Sequence, residues 1–255
     1  MIQAIYSARV GMQSQQSKMD TIAMNVANVN TTGFKGTRLD FKDAIYQTML
    51  NPEGNKPEEG LELGHGTLVG STNKIFVQGS LETTERGLDF ALVGEGFFAA
   101  RNGNGETLYT RNGQFGISVE EAGNYLVTSE GYYVLAADGE PITVPDGALN
   151  LSVSAEGSIM IDEAPTGRSL AIYDFANREA LLAVGQTYFV PTENSGDAEA
   201  VAGGTDIRQG IIERSNVDLN EEVTEMIKTQ RAIQLISRAI TTSDTMEGTA
   251  NALRG

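Results

Sequence analysis

Ile5, Met12, Met19 and Val26 recur at seven-residue intervals near one end of the chain. Ala8, Gln15, Ile22 and Val29 fill the positions three further on, so the first thirty residues carry an a/d seam whose one polar member is Gln15. No proline interrupts the pattern. It stops at Asn28-Val29-Asn30-Thr31-Thr32-Gly33, where asparagine and glycine supply an end signal. Near the other end Leu219, Met226, Ile233 and Ile240 repeat the spacing, and Ile236 joins them. Asp218 and Glu221 are spaced as a capping box, with Asp218 as the N-cap and Glu221 reaching back. Past Ile240 the stripe drifts to Met246, Ala250 and Leu253, as expected of a helix not held to a strict 3.5-residue period. A seam this narrow buries only part of a helix. Each helix therefore needs a partner, either the other helix together with further chains or the domain between them.

Between the helices the pattern changes. Asn102-Gly103-Asn104-Gly105, Asn112-Gly113, Gly123-Asn124, Asp138-Gly139 and Asp146-Gly147 punctuate short apolar runs such as Phe90-Ala91-Leu92-Val93, Tyr125-Leu126-Val127, Tyr132-Tyr133-Val134-Leu135 and Ile159-Met160-Ile161. Turn signals at this spacing imply an all-β domain. The chain thus reads as α+β, with N- and C-terminal α-helices forming a coiled-coil-like domain and an all-β domain inserted between them. The expected segments are the N-terminal helix and turn, 1–34; a connecting extended segment, 35–67; the β-rich domain, 68–214; and the C-terminal helix, 215–255. Residues 51–60 and 193–204 are polar and rich in turn formers and read as exposed loops.

The formal charge is −16 and is unevenly spread. Residues 1–42 carry +3, residues 43–216 carry −17 and residues 217–255 carry −2. So acidic a surface repels phosphate backbones and anionic lipid, which argues against nucleic acid and membrane partners. The absence of cysteine excludes disulfides and thiolate metal sites. The first residues lack the basic and apolar regions of a cleaved signal peptide, and no run reaches the length of a membrane span. The expectation is a cytoplasmic protein, or one that leaves by a route reading no such signal.

Little in the chain points to catalytic chemistry. His65 is the single histidine, in a loop-like Gly64-His65-Gly66 setting, whereas a triad needs a base with partners and a metal site usually needs more imidazoles. Gly94-Glu95-Gly96-Phe97-Phe98-Ala99 loosely fits a dinucleotide fingerprint, but a hairpin turn follows where a helix is required. It reads instead as a strand or bulge needing small residues. Paired carboxylates such as Glu58-Glu59, Glu120-Glu121 and Asp162-Glu163 are frequent in any acidic chain. No catalytic residue, metal ligand or cofactor site is expected.

One stretch is far more specific. Asn25, Asn28, Asn30, Thr32, Gly33, Phe34 and Lys35 stand in a run that resembles the N-terminal motif of the flagellar rod and hook (axial) proteins. Gln15, Gln16, Met19, Asp20, Ile22, Ala23, Phe41, Tyr46, Gln47 and Thr48 look like the distal rod members of that family. Ser215 to Leu219, Glu222, Met226, Ile227 and Gln230 to Ala232 are similar to its C-terminal motif, continued by Ser237 to Ile240, Thr242, Asp244 and Met246. Residues 60–64, Gln78, Gly79, 94–98, 109–111 and Gly113 match between them. Met24, Ile233 and Ile236 depart from the usual residues, and the segment from Tyr46 to Glu59 is short for a distal rod protein.

The resemblance implies a structural subunit of the bacterial flagellar rod that is not an enzyme. It implies export in unfolded form through the flagellar export apparatus, to the basal body outside the cytoplasmic membrane. There the chain would polymerise with itself into a hollow helical tube, next to neighbouring rod and hook subunits, and transmit torque. The terminal helices would line the channel as the axial core and the β domain would lie outside. Ile5, Met12, Met19, Ile22, Val26, Val29, Leu219, Met226, Ile233, Ile236 and Ile240 would form the helix interfaces. The asparagines would close the first helix, Gly33 would adopt positive φ and Phe34 would seat the turn. Alternatives within the family are a proximal rod or short hook protein. Alternatives of other classes are a secreted cell-wall glycan hydrolase and a trimeric coiled-coil adhesin with a β head.

Overall fold

The computed structural model describes residues 2–44, 47–49, 61–64, 66–121, 123–145, 151–162, 164–201 and 204–253. His65, Tyr46, Glu163, Gly203, the loop 51–60 and the Asp146-Gly147 turn lie outside the described residues. The chain divides into two compact units, one of residues 1–27, 37–74 and 218–255, the other of residues 28–36 and 75–217.

The first unit holds the two helices, α1 (Ile2–Ala27) and α2 (Leu219–Ala252). With them are four strands: β1 (Thr37–Asp43), β2 (Gln47–Met49), β3 (Leu61–Leu63) and β4 (Thr67–Lys74). β1 pairs antiparallel with β4, with a bulge at Asp40/Phe41, and β2 pairs antiparallel with β3. The segment after the first motif is therefore a pair of ladders, and Leu68 belongs to the helical unit. The Asp218 carboxylate accepts from the backbone N–H groups of Asn220 and Glu221 and so caps α2. Among the described residues no bond returns from the Glu221 side chain.

α1 packs on α2 and also on β1 and β4. Lys18 meets Glu225, Asn25 meets Glu222, and Gly11 lies beside Ile236, so the helices run antiparallel. The buried or half-buried positions of α2 include Glu222, Met226, Thr229, Ile233, Ile236, Ile240, Ser243 and Glu247, a repeating three-and-four spacing. Ser14 is buried and its hydroxyl donates to Thr67 O at 2.6 Å, fixing the start of β4 to α1.

The second unit is β-rich. Its strands are β5 (Leu81–Thr83), β6 (Phe90–Val93), β7 (Phe97–Arg101), β8 (Thr107–Thr110), β9 (Phe115–Glu120) and β10 (Gly123–Thr128). There follow β11 (Tyr133–Val134), β12 (Thr143–Val144), β13 (Leu151–Val153), β14 (Ser158–Ile161), β15 (Ala164–Ser169) and β16 (Ile172–Asp174). The last are β17 (Leu182–Val184), β18 (Tyr188–Val190), β19 (Glu199–Ala200), β20 (Asp206–Gln209) and β21 (Ile211–Glu213). The main sheet runs in the order β12-β10-β11-β7-β8-β18-β17, with β9 on β10, and β16 joining β7 to β19. Smaller ladders are β13-β14-β15, β20-β6 and β21-β5.

β7 explains the core. Phe97, Phe98, Ala99 and Ala100 are all at most 1 % exposed, so this strand is covered on both faces and reads as a continuous apolar run. Adjacent residues point to opposite faces. Phe98 joins Phe90, Leu92, Phe115, Leu126 and Ile207 in one core, while Phe97 joins Tyr109, Phe175 and Phe189 in the other. Gly94 and Gly96 form the turn into β7 at φ 118° and 120°. A Cβ on Gly96 would sit 2.7 Å from Ile172 Cγ2, so this glycine pair is a packed turn rather than a phosphate cradle.

Candidate assembly motif and its buried ion cluster

Asn25 is the motif residue of the helical unit, 3 % exposed near the end of α1. Its amide nitrogen donates to Thr37 O at 2.9 Å and to Glu222 Oε1 at 2.7 Å. Its amide oxygen accepts from Thr37 N at 2.9 Å. One side chain thus ties α1 to both main-chain groups of a β1 residue and to α2. Burial holds the Glu222 carboxyl above its ordinary range, against the opposing bond from Asn25. One turn along α2, the Glu225 carboxyl is held down to about 2 by its bonds from Lys18 and Lys228.

Residues 28–36 belong to the β-rich unit. Thr31 donates through its N–H to Asn28 O and through its hydroxyl to Asn28 Oδ1, both at 3.1 Å, closing the turn that ends the helix. Asn30 is exposed and accepts from Arg214 at 2.9 Å. Thr32 and Val29 are half-buried. Gly33 stands at φ 70°, and its N–H donates to Glu213 O at 2.8 Å. A Cβ there would lie 2.5 Å from Asn112 N, so both backbone conformation and space demand glycine. Phe34 is 1 % exposed. Gly36 N–H donates to the Asn216 side chain, which in turn donates to Ile75 O and Val77 O.

Lys35 enters a charged cluster that sequence patterning did not reveal. Its Nζ lies 2.6 Å from Glu213 Oε1, and both side chains are 1 % exposed. The ammonium also donates to Val77 O at 2.8 Å. Glu213 Oε1 accepts from Gly79 N at 2.9 Å, while Oε2 faces Arg111 at 3.5 Å. Arg111 donates to Gly94 O at 2.9 Å, and its guanidinium lies 5.5 Å from the Phe97 ring centroid. Two cations share one carboxylate, with two carbonyl oxygens offsetting the excess. Burial pulls the Lys35 ammonium below its ordinary range, more than Glu213 raises it. Arg111 is lowered for the same reason. Arg111 lies in the matched run 109–111, yet neither it nor Glu213 carries a local sign of a charged partner. Arg111 sits in a β-strand neighbourhood and Glu213 at a strand end, so only the fold pairs them with Lys35.

The seam positions divide by environment. Ile5, Met12, Met19 and Val26 are half-buried and Ile22 is 4 % exposed. Met226, Ile233, Ile236 and Ile240 are half-buried, and Leu219 is 45 % exposed. This geometry binds turn to strand and helix to helix. Its charged groups are engaged in structural pairs, and no group of three or more His, Cys, Asp and Glu side chains able to hold a metal occurs among the described residues.

The same stretches carry the likeness to known proteins. Residues 5–35 match the family described as "Flagella basal body rod protein". Residues 91–161 match "Flagellar hook protein FlgE/F/G D1 domain", and residues 208–253 match "Flagellar basal body rod FlgEFG protein C-terminal". The flagellar basal-body rod protein FlgG of Borreliella burgdorferi is 39 % identical over 100 % of this chain and 99 % of its own length. The chain belongs to the flagellar basal-body rod protein family. FlgG of Bacillus subtilis is 38 % identical over 96 % of each chain. The hook-basal body complex protein FlhP of the same organism is 30 % identical over the full length of both. As a member of the rod family, this chain is a structural subunit of the flagellar basal body. No described helix is long and apolar enough to cross a membrane.

Proposed function

We propose that this chain is the distal rod subunit, a non-enzymatic building block that polymerises with itself into a hollow helical tube and passes torque from motor to hook. The observation that supports the reading is the antiparallel packing of α1 on α2, with heptad-spaced positions half-buried and a second apolar face on α2 left in solvent. The two helices, Ile2–Ala27 and Leu219–Ala252, act as a coiled-coil-like axial core. The β-rich unit, residues 75–217 with the strap 28–36, is the second folded part of the subunit, and residues 37–74 belong with the helices instead of forming a separate connector. The seam residues Ile5, Met12, Met19, Ile22, Val26, Leu219, Met226, Ile233, Ile236 and Ile240 make the helix interfaces, whereas Val29, expected with them, lies past the end of α1 in the turn. The motif from Asn25 to Lys35 fixes the turn between core and outer domain.

An open, non-closing contact between identical chains yields a filament. Its neighbours are other rod and hook subunits. The chain reaches its site unfolded, through the flagellar export apparatus. Nucleic acid is not a partner, because residues 43–216 carry −17. The likeness to FlhP keeps a proximal rod or short hook role as the second reading. A glycan hydrolase is disfavoured by the exposed, structurally engaged carboxylates, such as Glu120, which accepts from Tyr133.

Deletion of the gene tests the assignment. Electron microscopy of basal bodies should show the membrane ring with a short rod and neither hook nor filament. Normal motility in the deletion strain would overturn it.

A further inference from the structure

Three asparagines of this chain are followed by glycine: Asn102, Asn104 and Asn112. With no Cβ on the next residue, the next backbone nitrogen lies open to the asparagine side chain. The fold treats the three pairs differently. Asn112 is half-buried, and its Oδ1 accepts from the Gln114 N–H at 3.1 Å. Gly113 is buried, its carbonyl accepts from the Phe90 N–H at 2.9 Å, and a Cβ on it would collide with Phe90 O. That backbone has no room to turn. Asn102 is held by its own amide. Its Nδ2 donates to Glu106 Oε2 at 2.9 Å, and its Oδ1 accepts from the N–H groups of Asn104 at 2.9 Å and Glu106 at 3.0 Å. Asn104 differs from both. It is exposed at the tip of the hairpin joining β7 to β8, and its side chain makes no hydrogen bond among the described residues. Gly105 stands at φ 86° with nothing within 4 Å of an added Cβ. Its N–H is engaged only by Asn102 O at 3.0 Å, an exposed turn bond of the kind that opens locally.

We propose that Asn104 is a self-modification site, at which the folded chain loses an amide to water. Hydroxide takes the Gly105 N–H proton, and the nitrogen attacks Asn104 Cγ. The new N–C bond closes a cyclic imide, the Cγ–Nδ2 bond breaks, and the departing nitrogen takes a proton from water and leaves as ammonia. Water then adds to one imide carbonyl and reopens the ring. Opening at one carbonyl gives aspartate; opening at the other gives isoaspartate, whose main chain runs through the former side chain. One amide and one water have become one carboxylic acid and one ammonia, with nothing oxidised or reduced. The free rotation of the Asn104 amide is what lets the reacting atoms meet. Either product puts a second negative charge beside Glu106. The isoaspartate also lengthens the turn between β7 and β8, the strands that pair at Arg101 and Thr107. The step does not reverse, so its extent records the time since the subunit folded.

The test uses the purified full-length chain, held in mildly alkaline buffer both folded and in urea, and mapped by mass spectrometry over time. Cleavage after Arg101 and Arg111 releases residues 102–111, within which fragmentation separates Asn102 from Asn104, while Asn112 falls in the next peptide. In the folded chain Asn104 should gain the mass of an amide turned to an acid and split into two products, while Asn102 and Asn112 keep their amides. In urea all three should convert, because each precedes a glycine. Asn104→Gln should abolish the acidic shift of the folded chain on isoelectric focusing. The proposal is overturned if Asn102 or Asn112 converts as fast as Asn104 in the folded chain, or if Asn104 stays intact there. Persistence of the acidic shift in Asn104→Gln overturns it as well. None of these outcomes depends on how the subunits polymerise.

Discussion

Lys35 and Glu213 meet 2.6 Å apart with 1 % of each side chain exposed, although they are separated by 178 residues. The pair clamps the motif segment onto the last strand of the β-rich unit. Arg111 makes it a triad. Removing one member of such a buried set leaves its partners charged and dry, a loss of about 3–5 kcal/mol.

Glu213→Gln should therefore destabilise the purified chain by about 3–5 kcal/mol, because it strands two buried cations. Lys35→Met should cost less, since Glu213 keeps Arg111 and the Gly79 N–H. Urea unfolding of each variant checks the order. Equal or reversed losses would show that the carboxylate is not the hub.

Gly33→Ala should lose at least about 1–2 kcal/mol from the positive φ alone, and more from the contact with the Asn112 backbone. Gly103→Ala is the control, because nothing lies within 4 Å of its added Cβ. A Gly33→Ala variant as stable as the control would contradict the geometry.

Asn25→Ala removes three bonds and leaves the buried Thr37 N–H and C=O unpaired, a loss of about 2–6 kcal/mol at about 1–3 per group. Asn25→Asp should be worse at neutral pH, because a second carboxylate faces Glu222. It should recover as the pH falls and one carboxyl takes a proton. Thermal melts followed by circular dichroism across pH would show the recovery, and a flat profile would contradict it.

Glu222 and Glu225 should pull the pH profile of the helical unit in opposite directions. Glu225 is lowered from 4.5 to about 2, so its stabilisation is present above about 4.5 and is lost as pH falls toward 2. Glu222 is raised, so its folded form holds protons more tightly and its burial penalty is relieved as pH falls. Glu225→Gln should be less stable than the native chain at pH 7 and equal to it near pH 2. Glu222→Gln should be at least as stable at pH 7, with its advantage gone in acid. Paired melts at both pH values decide the matter.

The helices were legible because heptad spacing is local, and Asp218 was legible because a cap announces itself within three residues. The β-rich character was visible from Asn-Gly and Asp-Gly turns such as Asp138-Gly139, where Gly139 stands at φ 81°. What stayed hidden is non-local. A short alternating strand reads the same whatever it pairs with, so nothing in Leu68 or Val69 shows that β4 joins β1 on α1. Lys35 stood out as a motif residue, yet its partners at 111 and 213 are chosen by topology. Nor could spacing show that Glu222 is held by Asn25, since 197 residues separate them.

The strap from Asn28 to Gly36 also fixes an order of events. Its N–H and ammonium wait for Glu213, so a chain emerging amino end first must keep the strap open until nearly all of it has appeared. Loop closure over so long a span is slow. The motif made first is therefore among the last to settle, and a truncated chain stays visibly unfinished at its beginning.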